Sequence, residues 1–452
     1  MKKSLLTTSL LLFYLLAYPW GSDVFVAPVP SGQSSVVESQ GMLYCSGPAG
    51  MTGVGGIKIY SSTDMGLTWT DIAQPGAGQN VGKSKLVVTG TDSVYCAYMV
   101  DSTVYFYSIA SGIVTPFTTI YVEDFDIAPG PTSNSIYLFC EQAGNHDIRR
   151  YSSTDGGYTW GGSSALVTSS GANPRVSMSN ATLILNYYGP VQPDPTTSVI
   201  RSAIYSESAP GQLTSGTFQD LTTSGLSRNQ FASIIVGSTV WFIYSEGSPS
   251  SVIKYKISTD AGANYGLETT LAGNANINAQ CFGVTAYSDV TGSGVMIAYY
   301  LDSLGGNMKM NYTSASTLTP TVFIAAETLN DFTPTCNLSI LPSITAVGPD
   351  AGILFLEDDG IADALYFDLR SFIVGVNELL ENRFQVYPNP ASSYLKLLND
   401  DGKSVEIKIY DSMGRLVAAQ ELSVQGGVDV SRLSAGVYYL KAGEQVVRVV
   451  KE

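Results

Sequence analysis

Ionisable side chains are scarce in this sequence. Asp, Glu, Lys and Arg together make up 13% of its 452 residues, and there is a single histidine, His146. Nucleophilic catalysis of the Ser/His or Cys/His kind needs an imidazole beside the nucleophile, and His146 lies in a polar stretch with no such neighbour. A zinc centre of the usual His/Cys type lacks ligands, and no metal or cofactor is expected. Basic residues number 23 against 38 acidic ones, a formal net charge of −15. Phosphate backbones are held by clustered Lys and Arg, so nucleic acid is not an expected partner.

Long apolar runs are also missing. The run Leu5–Ala17 follows Lys2 and Lys3 and gives way to polar chain. It is too short to span a bilayer and reads as an export signal over residues 1–21, with cleavage between Ala17 and Ser22. No later segment approaches a transmembrane helix. The five cysteines are an odd number, which leaves at least one unpaired. Cys45, Cys96 and Cys140 end equivalent apolar phrases (Leu43-Tyr44-Cys45, Val94-Tyr95-Cys96, Leu138-Phe139-Cys140) and are expected as small buried core residues. Cys281 and Cys336 stand isolated, and no disulfide framework is expected.

Glycine (45) and tyrosine (28) are abundant, a mix that suits an all-β extracellular protein with short turns. One phrase recurs three times. It reads Ser62-Thr63-Asp64-Met65-Gly66-Leu67-Thr68-Trp69, Ser153-Thr154-Asp155-Gly156-Gly157-Tyr158-Thr159-Trp160, and Ser258-Thr259-Asp260-Ala261-Gly262-Ala263-Asn264-Tyr265. The phrase resembles the Asp-box (S-x-D-x-G-x-x-W) of sialidase-like β-propellers. In those proteins it lies in the turn between the third and fourth strands of a blade. The resemblance implies a structural role for Asp64, Gly66, Trp69, Asp155, Gly157, Trp160, Asp260, Gly262 and Tyr265: the Asp accepts bonds from its own turn, the Gly permits positive φ, and the aromatic packs.

The three Asp are 91 and 105 residues apart (64 to 155, 155 to 260), about twice the length of one blade. The strand before the box recurs at Ile57–Ser61, Val104–Ser108, Ile148–Ser152, Ile200–Ser206, Val252–Ile257, Met308–Thr313 and Ala364–Leu369. A second apolar strand precedes each, at Met42–Cys45, Ser93–Tyr98, Ile136–Cys140, Thr182–Tyr188, Val240–Tyr244, Val295–Tyr300 and Gly352–Leu356. The expected fold is all-β, a seven-bladed Asp-box β-propeller over residues 22–375, with Asp23–Val29 adding a strand to the last blade.

Residues 376–383 read as a charged linker. Then come Val386-Tyr387-Pro388-Asn389-Pro390, Ile409-Tyr410-Asp411-Ser412-Met413-Gly414-Arg415-Leu416-Val417 and Leu433-Ser434-Ala435-Gly436-Val437-Tyr438-Tyr439-Leu440. Alternating strands with Gly turns predict a small β-sandwich over residues 384–452. The three motifs in this order resemble the C-terminal sorting domain of the type IX (Por) secretion system of Bacteroidetes. That resemblance implies type IX secretion machinery as a partner, and a secreted or outer-membrane surface protein of a Gram-negative bacterium.

Sialidase-like enzymes bind a sugar carboxylate with three arginines, the first in an F/Y-R-I-P phrase. That phrase is absent here, and only Arg175 and Arg228 fall in expected innermost strands. No catalytic residue is assigned. The loops expected opposite the Asp-boxes are acidic. An aromatic-x-acid pattern ends several strands: Phe139-Cys140-Glu141, Tyr244-Ser245-Glu246, Tyr300-Leu301-Asp302 and Phe355-Leu356-Glu357, with Asp101, Asp194, Asp358 and Asp359 nearby. Two-residue spacing puts aromatic and acid on one strand face. Asp101, Glu141, Asp194, Tyr244, Glu246, Tyr300, Asp302, Glu357 and Asp358 are thus the candidate ligand face. The favoured function is non-catalytic binding of extracellular glycan or protein. The alternatives are a sialidase-like-fold glycoside hydrolase, whose paired carboxylates need no histidine, and a surface scaffold component.

Overall fold

In the computed structural model, residues 24–370 and 384–451 are described. Excepted are 29–32, 49–54, 118–119, 132, 162–164, 190–197, 215, 224–229, 248–250, 275–276, 290–291, 304–308, 330–332, 335–340, 348–349, 359–362, 388–390, 400–404, 412–414, 423–426 and 443–444. The expected export signal and linker lie outside the described residues. All described elements are β-strands, and no helix among the described residues is long and apolar enough to cross a membrane. The chain divides into two compact units, residues 1–371 and 372–452.

Seven antiparallel sheets fill the first unit among the described residues. Sheet 1 runs Ser35–Ser39, Met42–Pro48, Ile57–Ser62, Thr70–Ala73; sheet 2, Val81–Val88, Val94–Val100, Thr103–Ser108, Val114–Phe117; sheet 3, Val122–Pro129, Ile136–Gln142, Ile148–Ser153, Ala165–Thr168. Sheet 4 runs Ala172–Ser179, Thr182–Tyr188, Ile200–Ala209, Thr217–Asp220, with Gln212–Leu213 as a side hairpin; sheet 5, Gln230–Val236, Thr239–Glu246, Val252–Ser258, Thr269–Ala272; sheet 6, Ile277–Asp289, Gly292–Ser303, Lys309–Ser316, Glu327–Thr328. Sheet 7 takes Ser343–Val347, Asp350–Asp358 and Asp363–Arg370 from the end of the unit and Val24–Pro28 from its beginning. The second and third strands expected from the repeated phrases coincide with those of every sheet.

The first strands of successive sheets are neighbours, and the first strand of sheet 7 returns to that of sheet 1. The second strands read as near-continuous apolar runs because both faces of each sheet are covered. Thr239–Glu246 is buried at all eight positions. Cys45, Cys96 and Cys140 are free and fully buried in equivalent second strands, and burial pushes the Cys96 thiol up to about 12. Cys281, expected to stand isolated, is disulfide-bonded. An oxidising compartment permits such a bond, and spacing along the chain gave no sign of it. Cys336 lies outside the described residues.

Each repeated Ser-x-Asp phrase is a self-bonded turn between third and fourth strands. Ser62 Oγ donates to Asp64 Oδ1 (2.8 Å) and accepts from the Gly66 N–H (2.7 Å). Asp64 accepts from the Thr68 N–H (2.9 Å) and hydroxyl (2.6 Å). The same bonds surround Asp155 and Asp260, with Asn264 in the threonine's place at the latter. The Ser258 and Asn264 donors hold Asp260 at about 2.

These turns pack on the preceding sheet. Trp69 meets Phe367 of sheet 7 edge-on, ring centroids 5.1 Å apart, and Trp160 lies 4.7 Å from Phe106 of sheet 2. Tyr265 packs with Ile184 and Ile204 of sheet 4. In sheet 6, which lacks the phrase, the corresponding turn does the same work: Trp241 Nε1 of sheet 5 donates to Pro320 O (3.0 Å).

In the second unit, one sheet holds Phe384–Tyr387, Tyr394–Asn399 and Gly427–Asp429, and the other holds Val405–Asp411, Leu416–Leu422, Gly436–Ala442 and Gln445–Lys451. They share one core, with Leu395 and Val428 from the first and Ile407, Ile409, Leu440 and Val449 from the second.

Gly66 shows how tightly the turns are fitted. Its φ is +92°, and a Cβ there would lie 2.1 Å from Phe367 Cε1. Gly41, at φ +78°, has nothing within 4 Å of the same position. Gly66→Ala is therefore expected to cost about 3 kcal/mol, backbone strain plus overpacking, against about 1–2 kcal/mol of strain alone for Gly41→Ala. Urea unfolding of both variants checks this, and equal losses would contradict the packing role.

Candidate functional site at the channel mouth

The two ends of the sheets are built differently. The Ser-x-Asp turns share an end with the first-to-second turns: the Gly156 N–H donates to Asn134 O, and the Ala261 N–H to Ser238 O. At the opposite end, the second-to-third turns meet the start of the following sheet. There the Val122 N–H donates to Ser102 O of sheet 2 (2.8 Å) and the Gly171 N–H, just before sheet 4, to His146 O of sheet 3 (2.8 Å), while within sheet 3 the Ala143 N–H donates to Tyr121 O (3.0 Å). Side chains at this second end are the ones not committed to the Ser-x-Asp turns.

A network of opposite charges runs across the first strands of sheets 2, 3 and 4. Lys83 Nζ donates to Asp124 Oδ1 (2.7 Å) and to Phe125 O. Arg175 Nη1 donates to Asp124 Oδ2 (2.6 Å). One step along the strands, Lys85 bonds Asp126 Oδ1, while Asp126 Oδ2 accepts from the Val176 N–H (2.8 Å). Lys83, Lys85, Asp126 and Arg175 border a central cavity of about 200 Å³ that first strands or adjoining residues of all seven sheets line. Burial alone would raise Asp124, but the Arg175 and Lys83 charges outweigh it and hold the carboxyl at about 2. Burial, with the Arg175 charge beside it, lowers Lys83.

Beyond this network lies the one histidine. His146 Nδ1 is 2.6 Å from Glu141 Oε1 and 3.8 Å from Glu123 Oε2, and the Asn173 N–H donates to Glu141 Oε2 (2.9 Å). Burial raises the Glu141 pKa, and the bond from Glu141 raises that of His146. Glu123, Glu141 and His146 each bring one ligand-type atom into a group whose members lie within 4.8 Å of one another. The expectation that metal ligands are lacking weighed cysteine and histidine alone and left carboxylates out of account. Tyr121 is exposed just before the first strand of sheet 3, and its carbonyl holds the turn that carries His146.

The structure brings some of the expected face together and not the rest. Glu141 is in the cluster described, and Asp101 occupies the exposed second-to-third turn of sheet 2, one residue before the Ser102 carbonyl that holds Val122. Asp302 is half-buried near the end of the second strand of sheet 6. Tyr244 and Tyr300 do not line a surface. Both are fully buried, Tyr244 donating to Glu268 and Tyr300 to Leu356 O (3.2 Å). Glu246 is buried and bonded by Lys254 Nζ. Asp194, Asp359 and Arg228, and the side chains of Glu357 and Asp358, lie outside the described residues. Sequence reasoning passed over Lys83, Lys85, Asp124 and Asp126. Their signal is present: Lys-x-Lys and Asp-x-Asp occupy matching positions in consecutive first strands, and two-residue spacing aims each pair the same way.

Comparison with known proteins gives two findings. Residues 385–452 match the secretion system C-terminal sorting domain. The chain is therefore a secreted or outer-membrane surface protein handled by the type IX machinery. Among solved structures, a ligand-bound ulvan lyase of polysaccharide lyase family PL25 superposes with a TM-score of 0.53 at 9% identity, over 78% of this chain and 98% of that one. A second ulvan lyase structure gives 0.50 at 10% identity, over 79% and 98%. A GH93 α-L-arabinofuranosidase of Fusarium graminearum gives 0.45 at 14% identity, over 77% and 97%. At such identities the ulvan lyases show likeness of fold alone. No curated protein sequence matches the chain.

Asp124 carries a stability expectation with a definite sign. Its folded pKa of about 2 lies below the unfolded value near 3.8, so its contribution is present above pH 4 and is lost as pH falls from about 4 to 2. Asp124→Asn leaves Lys83 and Arg175 without that counter-charge and is expected to cost about 3–5 kcal/mol at pH 7. The variant's stability should also fall less between pH 4 and 2. Denaturant titrations at stepped pH check both, and an unchanged acid limb would contradict them.

Proposed function

We propose that the seven sheets are the blades of a seven-bladed Asp-box propeller closed by Val24–Pro28. The second unit is then a β-sandwich sorting domain from about residue 384, joined by a linker at 376–383. The propeller binds an extracellular glycan, without chemistry, at the channel mouth opposite the Asp-boxes. One observation carries this reading. An exposed aromatic, Tyr121, lies two residues before Glu123 at the end whose side chains are not committed to the box turns, its carbonyl bonded to the turn that carries His146 and its neighbour Val122 bonded to the turn that carries Asp101. Sugars present apolar C–H faces edged with hydroxyls. An exposed ring covers such a face, and carboxylates and an imidazole beside it bond the hydroxyls. The PL25 ulvan lyases, named for acting on a polysaccharide, support the fold as one that serves carbohydrate.

A hydrolytic reading has a specific observation in its favour. Two carboxylates of sheet 3 are pushed in opposite directions, Asp124 down by its cations and Glu141 up by burial. Such a split separates a base from an acid.

A glycan array probed with the full chain is expected to show binding that weakens at least about tenfold in Tyr121→Ala, with the fold intact by circular dichroism. Wild-type binding in that variant would sink the reading. On a panel of fluorogenic glycosides no turnover is expected; turnover abolished by Glu141→Gln would replace binding with hydrolysis.

A further inference from the structure

We propose that Glu123, Glu141 and His146 form a binding site for a divalent transition-metal ion of the zinc or manganese class. The site shares Glu123 and His146 with the glycan reading, but it rests on the donor geometry and the burial of Glu141 rather than on Tyr121.

Two observations lead there. The first is the donor set: one imidazole nitrogen and two carboxylate oxygens, each pair within 4.8 Å. A nitrogen with two carboxylates suits zinc, manganese and their neighbours, whereas calcium and magnesium favour oxygen alone. Ligands about 2.1 Å from a tetrahedral zinc lie about 3.4 Å apart. His146 Nδ1 stands 2.6 Å from Glu141 Oε1 and 3.8 Å from Glu123 Oε2, so both approach that separation by shifts under about 1 Å.

The second observation is a buried carboxylate whose one ion-pair partner among the described residues is the half-exposed imidazole of the same group, a side chain that can serve as cation or as metal ligand. The Glu141 side chain is 3% exposed. Among the described residues no lysine or arginine lies within ion-pair distance of it or of Glu123. The nearby cations are engaged elsewhere: Lys83 and Arg175 bond Asp124, and Arg149 bonds Asp147 and Gln142. A buried carboxylate normally keeps a cationic partner or a metal. Every other buried acid in this network has a Lys or Arg. The Asn173 N–H fixes Glu141 Oε2 from the far side (2.9 Å), which orients Oε1 toward the imidazole as an outer partner orients a metal ligand. Glu123 and His146 are half-exposed, so an ion has a path in and water can complete its coordination. Metal binding would release to solvent whatever proton Nδ1 or Oε1 carries.

The test uses the full chain after dialysis against EDTA, titrated calorimetrically with ZnCl₂, MnCl₂ and CaCl₂ and melted with and without each salt. One equivalent of zinc or manganese is expected to bind, raising the melting temperature. Affinity should fall at least about tenfold in His146→Asn and in Glu123→Gln, exposed changes that leave Glu141 and its Asn173 bond in place. No binding of either metal, wild-type affinity in both variants, or preference for calcium would overturn the assignment. Loss of metal binding with glycan binding retained, or the reverse, separates the two proposals.

Discussion

Among the described residues adjacent sheets of the first unit share no extended backbone ladder, only single backbone bonds such as Ser84 N–H to Gln33 O and Val122 N–H to Ser102 O, and side chains supply most of the remaining polar links. The connections sit where the first strands converge. Gln230 imitates a ladder, its amide donating to Phe282 O and accepting from the Phe282 N–H. Ser35 and Ser343 accept from the Leu86 and Val36 amides. Asp126 takes the Val176 amide and the Lys85 ammonium together, and Asn186 bonds Ser233. Buried amides left by the absent ladder would each cost free energy, and polar residues in otherwise apolar strands remove that cost. The charged network is therefore partly architecture, and the candidate site is its continuation toward solvent.

This arrangement explains what could and could not be read from the chain. The repeated phrases Ile57–Ser62, Ile148–Ser153 and Val252–Ser258 advertise their strands because a Ser-x-Asp turn must follow with fixed chemistry. The aromatic-x-acid ends were harder. In a sheet covered on both sides, alternation no longer separates inside from outside, and Tyr244 and Tyr300 are buried although their spacing matches that of Glu246 and Asp302. Glu141 and Asp101 keep to the expected end because turn connectivity, not alternation, puts them there. The partnership of Lys83 and Lys85 with Asp124 and Asp126 needs the closeness of two first strands, which spacing within one repeat does not express.

Asp-rich turns and charged mouth divide the molecule's polar residues into two kinds. Asp64, Asp155 and Asp260 are saturated by their own turns and offer little to a ligand. Glu123 and His146 are held in place by neighbours yet keep atoms facing water. Self-saturated turns at one end and unspent bonding atoms at the other let one scaffold be rigid beneath a surface that still has bonds to make.

The pairing of Val24 with Phe367 has a consequence for how such a chain comes to be folded. The earliest of the described strands finds its partner only when almost the whole unit has been made. Contacts of such sequence separation form late, because the intervening chain must be ordered before they are rewarded. Until Asp363–Arg370 is available, Val24–Pro28 has no sheet to join. A chain of this topology can complete sheet 7 only once residues 24–370 are all present.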